Sequence, residues 1–166
     1  MSVQLEPATP DDADVIATLR NAVADDLTAR HGKGVWSGHC TFRGVRFDQR
    51  TGTVWLARRE GRVIAALKLA TKKPWAIDRS YFTAVSRPLY LTALTVAPDR
   101  QRLGIGRACL AQAAVIARDL PADAICLDAF DHPGAGAGPF YAKCGYRETG
   151  RVVYHGVPLR YFEKLL

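Results

Sequence analysis

A mixed α/β domain, one central sheet of about six to seven strands flanked by helices, is the fold this sequence predicts, and three observations predict it. "PLYLTALTV", the alanine-rich helical run "GIGRACLAQAAVIAR" and "AICLDAF" follow one another within about forty residues. Strand, helix and strand at that spacing form a βαβ unit with two parallel strands and a right-handed crossover. "TVWLARREGRVIAALKLAT" reads as a hairpin turning at Glu60 and Gly61, because strand-like runs flank a glycine-containing turn. A second hairpin, over about 147–155 and 159–165, completes the sheet.

Along the chain, "VQLEPA" is a first strand. It leads into a helix capped by Thr9 or Asp11, whose Val15, Ile16, Leu19, Val23 and Leu27 recur at helical spacing. The glycine-rich stretch "RHGKGVWSGHCTFRG" reads as irregular, and residues 72–87, with Trp75, Tyr81 and Phe82, as a long aromatic loop. Pro98 ends the first parallel strand, the next helix covers about residues 104–118, and Pro121 separates it from the second. A short helix lies near "GPFYAKCG".

The 166 residues, 48% hydrophobic and 23% charged, suit one domain spanning 1–166 with its own core. A net charge of +7 favours anionic partners. The basic residues are spread rather than blocked, and neither an RNP-type aromatic signature nor zinc-finger spacing occurs, so no nucleic-acid partner is expected. No apolar run approaches the ~20 residues of a membrane span, and the acidic start "MSVQLEPATPDDADV" is unlike a signal peptide, so a cytoplasmic protein with no membrane partner is expected. Cys40, Cys109, Cys126 and Cys144 form no C-x-x-C; they read as buried thiols, with no metal site.

The chemistry concentrates where "LTVAPDRQRLGIGRACL" passes from strand to helix. Arg100, Arg102 and Arg107 crowd a helix N-terminus, whose partial positive charge makes each added cation unfavourable by ~0.3–1 kcal/mol. An anion at that spot would offset the penalty. Glycine lets a backbone approach a ligand closely, and free N–H groups at a helix start bind phosphate. Two nucleotide motifs fail here: Cys109 stands where a Rossmann turn counted from Gly104 needs glycine, and no G-K-S/T of a Walker loop is present.

What the segment matches is Q/R-x-x-G-x-G/A, as Gln101, Gly104 and Gly106, and "FYAKCGYRETG" extends the match. With these motifs the chain resembles the GNAT superfamily of acyl-CoA-dependent N-acyltransferases over about residues 53–150, and the order of elements agrees along the whole chain. The resemblance implies a splayed parallel strand pair that binds coenzyme A. Gln101, Arg102, Leu103, Gly104, Ile105, Gly106 and Arg107 would take the pyrophosphate, with Arg100, Arg102 or Arg107 reaching the ribose phosphate. Backbone groups of Leu94, Thr95 and Val96 would bond the pantetheine arm at a bulge, and Leu94 would polarise the thioester carbonyl. Tyr141, aligned with Ala137, Lys143, Gly145 and Tyr146, would contact the cofactor and protonate the leaving thiolate; Gly134 replaces a common asparagine.

The implied activity is N-acetyl transfer, of EC 2.3.1 type, from acetyl-CoA to a primary amine of a small-molecule acceptor by direct attack in a ternary complex, with no metal. A non-catalytic coenzyme A-binding or regulatory module on the same fold is the alternative, and the protein would be a monomer or homodimer. Relatives often carry a glutamate on the first parallel strand, but residues 89–96 hold no carboxylate. The base is therefore open among Asp78, Tyr81, Tyr90, Thr92, Asp128, Asp131, His132 and water. Residues 31–47 and 72–87 would choose the acceptor, with Trp36, Phe42, Trp75, Tyr81 and Phe82 either lining its pocket or closing the core.

Overall fold

The computed structural model describes residues 2–166. Its elements are β1 (Leu5–Pro7), α1 (Ala13–His31), α2 (Phe42–Thr51), β2 (Thr53–Arg59), β3 (Arg62–Ala70), β4 (Pro88–Val96), α3 (Ile105–Asp119), β5 (Ala124–Phe130), α4 (Gly138–Lys143), β6 (Arg147–Tyr154) and β7 (Val157–Leu165). The seven strands form one open sheet in the order β1-β2-β3-β4-β5-β7-β6. Only β4 and β5 run parallel, joined through α3 as the βαβ pattern predicts. The β2–β3 hairpin turns on Glu60 (φ 53°) and Gly61 (φ 76°), the left-handed pair that a two-residue turn needs.

Helices and loops cover both faces of the sheet. Leu89, Leu91, Ile125, Leu127 and Phe162 pack beneath α3 and α4 with Ile105, Cys109 and Tyr141. On the opposite face Ile16, Leu19 and Val45 of α1 and α2 meet Val54, Leu56 and Val63. Val63 to Leu67 are all buried, as expected of a central strand with both faces covered.

The helix α2 is absent from the sequence reading, which left its N-terminal part irregular. Its cap is good, since the Thr41 hydroxyl accepts the Gly44 N–H at 3.1 Å. However, Val45 is its only buried residue, so no apolar stripe marks it. The buried-thiol expectation holds for Cys109 and Cys126, whereas Cys40 and Cys144 are partly exposed. Among the described residues no helix is long and apolar enough to cross a membrane.

The 72–87 loop has little regular structure, yet β7 fastens it. The Tyr161 hydroxyl donates to the Ala76 carbonyl and accepts the Asp78 N–H. Glu163, only 1% exposed, accepts from the Thr83 N–H and hydroxyl at 2.9 and 2.6 Å and pairs with Arg147. Burial alone would raise the Glu163 pKa, but these partners outweigh it and hold the carboxylate below its ordinary value.

Candidate active site

The two parallel strands part company. β4 and β5 pair only at Pro88–Ala124, Leu89–Ile125 and Tyr90–Cys126, although both continue, β4 to Val96 and β5 to Phe130. Beyond Tyr90 the edge of β4 that faces β5 therefore lacks a partner strand. A bulge turns β4 away: Lys68 opposes Thr92 and Ala66 opposes Thr95, so Ala93 and Leu94 together face Leu67. Ala93 takes a left-handed φ of 53°, and the Thr95 hydroxyl closes the bulge by donating to the Ala93 carbonyl at 3.0 Å. Bulges re-aim backbone groups in this way, and the stretch from Leu94 to Val96 borders the gap.

Below the gap the chain turns into α3. The Gln101 side chain donates to the Val96 carbonyl at 3.0 Å, so it ties the turn to the strand end. Gly104 caps α3 at φ 82°. The N–H groups of Gly104, Ile105, Gly106 and Arg107 have no acceptor among the described residues, the first helical bond being Ala108 N–H to Gly104 C=O. A Cβ on Gly104 would meet nothing within 4 Å, whereas one on Gly106 would stand 3.1 Å from the Phe140 ring. Space is thus open over Gly104, and Gly106 lets α4 pack closely on the start of α3. Arg102, Leu103 and Arg107 are exposed. Arg100 lies 3.6 Å from Asp99, which is held in a two-point pair by Arg62. Four free amides, an open glycine and cations around them fit a pyrophosphate group.

Phe140 carries the geometry onward to Tyr141, which packs against Phe140, Tyr146 and Phe162 at ring centroid separations of 5.3, 5.7 and 5.8 Å. Its hydroxyl has no hydrogen-bond partner among the described residues. Burial foremost, then the nearby Tyr146 and Asp128, push its pKa well above the ordinary tyrosine value, so it keeps its proton.

The candidate bases separate cleanly. Asp78 accepts from the Ser80 N–H and hydroxyl, the hydroxyl bond leading in depressing its pKa. Asp131 lies 3.9 Å from Arg151. Nδ1 of His132 accepts two backbone N–H groups, of Gly134 and Ala135, and its ring packs on Trp36 and His31. Tyr81 meets Tyr161 edge to face, and Tyr90 is buried. Asp128 differs. It follows the last parallel pair on β5, its register partner is Tyr161, its carboxylate has no hydrogen-bond partner among the described residues, and burial raises its pKa. Strand alternation puts it on the face opposite Leu127 and Tyr141.

Of the aromatics expected to choose the acceptor, Phe82 packs against the buried cluster around Tyr90 and Tyr161, while Trp75 is 85% exposed. The larger cavities, about 490 and 420 Å³, lie between the 72–87 loop and the β6–β7 hairpin and at the start of β4. A smaller one, about 240 Å³, reaches Thr92 beside the bulge and is lined by Asp48, Thr51 and Lys68. These last three had not been singled out. The available signal was Lys68, a lone charge inside the apolar run "VIAALKLA".

Comparison with known proteins agrees with this architecture. The family model described as "Acetyltransferase (GNAT) family" matches residues 18–146. No curated protein matches the chain significantly by sequence. Among solved structures, a GNAT family acetyltransferase from Streptococcus agalactiae superposes with a TM-score of 0.80 at 16% identity, covering 99% of this chain and 95% of that one. A ribosomal-protein-alanine N-acetyltransferase from Brucella melitensis gives 0.72 at 18% identity, with 98% and 99% covered. The yncA protein of Salmonella typhimurium, solved with its cofactor acetyl-CoA, gives 0.70 at 15% identity, with 100% and 95% covered.

Proposed function

The chain belongs to the GNAT acetyltransferase family, and on that premise we propose that it is a cytoplasmic, single-domain N-acetyltransferase, of EC 2.3.1 type, acting on a primary amine of a small molecule. The observation that carries the reading is the row of four unpartnered amides, Gly104 to Arg107, opening beside the unpaired ends of β4 and β5. In this reading those amides hold the coenzyme A pyrophosphate, and the exposed Arg102 and Arg107, with Arg100, reach the ribose phosphate. Gln101 shapes the turn by its bond to Val96. Leu94, Thr95 and Val96 present backbone groups to the pantetheine arm. Acetyl-CoA, when bound, supplies an activated acetyl thioester and a thiol leaving group.

The remaining steps belong to this chain's own residues. The Leu94 N–H polarises the carbonyl under attack, as an oxyanion donor does. We assign the base to Asp128: a carboxylate with a raised pKa is better matched to removing an ammonium proton near neutral pH than an ordinary one. Tyr141 donates to the departing sulfur. An ordinary thiol ionises near ~8.5 and an ordinary tyrosine near ~10, so full proton transfer from Tyr141 is uphill by about 2 kcal/mol or more. A thiolate released in the same dry site is itself raised, which narrows the gap. The amine attacks directly in a ternary complex in this reading: burial pushes the pKa of Cys109 up to about 11 and of Cys126 up to about 12 and raises that of Cys144, beside Tyr141, as well, which leaves little thiolate. A panel of small amines, scored by acetyl-CoA-dependent thiol release with Tyr141→Phe as control, tests the assignment. Binding of acetyl-CoA without turnover of any amine would favour a coenzyme A-binding module instead.

A further inference from the structure

We infer that the acceptor amine also carries a carboxylate, bound by Lys68 in the cavity between α2, β3 and the 72–87 loop. The inference rests on the acetyl-transfer reading and adds the chemical class of the acceptor.

The cavity's charge is the first ground. Arg20 of α1 and Lys68 of β3, each only 12% exposed, share one carboxylate: Arg20 Nη1 lies 2.7 Å from one Asp48 oxygen and Lys68 Nζ 3.1 Å from the other. Lys68 also donates to the Thr51 hydroxyl at 2.7 Å. An ammonium has three donors, and these contacts use two. Arg20, behind the cavity wall, keeps Nε and Nη2 buried without an acceptor among the described residues. Two nearly buried cations on one anion leave a surplus positive charge, which is costly unless a further anion shares it. Lys72 and Lys73 add positive charge at the rim, and among the described residues Asp48 is the only carboxylate lining the cavity. Such a lining disfavours a polyamine and favours a molecule with an anionic end.

Position is the second ground. On one face of the sheet Lys68 pairs with Thr92, and the bulge begins at the next residue. Tyr90 pairs with Cys126 in parallel, so two residues further on Thr92 and Asp128 flank the opening gap. Lysine, threonine, gap and aspartate thus lie in a row across the strands. The cationic end of the row suits a carboxylate and the anionic end an ammonium. Size agrees: about 240 Å³ is below the ~300–1,000 Å³ of sites for drug-sized ligands, and Phe47 and Trp75 give the cavity apolar walls.

Matched amines with and without a carboxylate test the inference: phenylalanine against phenethylamine, leucine against isoamylamine, and γ-aminobutyrate against propylamine, each followed by acetyl-CoA-dependent thiol release. In at least one pair the carboxylate member should have the higher kcat/KM by tenfold or more, as a charge-assisted contact gives. That preference should fall below threefold in Lys68→Met and persist in Lys68→Arg, while both variants keep the wild-type thermal shift with acetyl-CoA and so report a folded enzyme. Equal use of both members in every pair overturns the inference and leaves the acetyl-transfer reading standing. Turnover of no amine at all, with acetyl-CoA bound or not, overturns both.

Discussion

Gly104→Val separates the cost of a backbone conformation from the loss of a ligand site. Gly104 sits at φ 82°, where a β-branched residue is a clear outlier; the left-handed helical region costs an L-residue ~1–2 kcal/mol. A Cβ there would touch nothing within 4 Å, so the free protein should lose only that backbone term. For a chain of this size ~1 kcal/mol lowers the melting midpoint by ~2–4 °C, which gives a drop of about 2–8 °C. The ligand effect is independent. At ~100 times its Kd a ligand stabilises by ~2.7 kcal/mol, about 5–11 °C on the same conversion. Wild-type protein should show that rise with acetyl-CoA, and the variant should not, because the new methyl groups would fill the space over the free amides. Differential scanning fluorimetry of both proteins, with and without millimolar acetyl-CoA, measures the two terms together. A Gly104→Val protein that folds and keeps the full acetyl-CoA shift would refute the placing of the pyrophosphate on this turn.

Other perturbations reach the remaining parts of the site. Tyr141→Phe should retain acetyl-CoA affinity, since the ring still packs on Phe140, Tyr146 and Phe162, and lose about 10²-fold or more in turnover; steady-state kinetics within threefold of wild type would make the residue structural. Asp128→Asn should remove the acid limb of the kcat/KM profile, because the wild-type rate falls as pH drops through the raised Asp128 pKa, an ionisation that Tyr161 and Tyr141 border. The same shift has a stability sign. A raised carboxyl pKa contributes stability below the ordinary value of ~3.9 that is lost as pH rises through the folded value, so Asp128→Asn should melt higher than wild type at neutral pH and not at acidic pH. Glu163→Gln should do the reverse: its depressed pKa contributes stability above ~4.3 that disappears as pH falls through the folded value. At pH 7 the change should cost ~1.5–3 kcal/mol and lower the midpoint by several degrees, and it should increase proteolytic cleavage within residues 72–87.

Much of the frame was legible because punctuation and periodicity coincide. Glu60–Gly61, Pro98 and Pro121 bracket apolar runs of strand or helix length, and the runs over 88–96 and 124–130 are β4 and β5 to the residue. The helix α2 was not legible, since a segment with one buried side chain has no stripe to read. The order in the 72–87 loop was not legible either. It depends on Glu163 and Tyr161, some eighty residues away, and separation in sequence hides which polar group will meet which. The Arg20, Asp48 and Lys68 cluster fails for the same reason: its members come from α1, α2 and β3, and α2 had not been recognised.

Asp128 shows why a residue can be read and its role still escape. As one of several polar candidates it has no sequence feature to distinguish it. Only the register with Tyr161 and the end of parallel pairing at Cys126 place it. Tyr141 packs with Leu127 on the α3 and α4 face, and alternation puts Asp128 on the other. Across a fully hydrogen-bonded sheet, groups on opposite faces are kept apart by the strands between them. Here β4 has turned away, and Asp128, after burial and Tyr146, is among the groups that raise the Tyr141 pKa. The bulge at Ala93 and Leu94 therefore does more than expose amides. In the proposed mechanism, opening the sheet would give Asp128 on one face and Tyr141 on the other access to one reaction centre, the arrangement that direct transfer from a thioester to an amine requires. Repairing the bulge by deleting Ala93 would restore a continuous β4 and close the gap. Such a protein should remain folded, since each strand pair would gain register, yet it should lose acetyl transfer and the thermal response to acetyl-CoA together. Retention of either in the folded deletion protein would show that the opening between β4 and β5 is not where the two substrates meet.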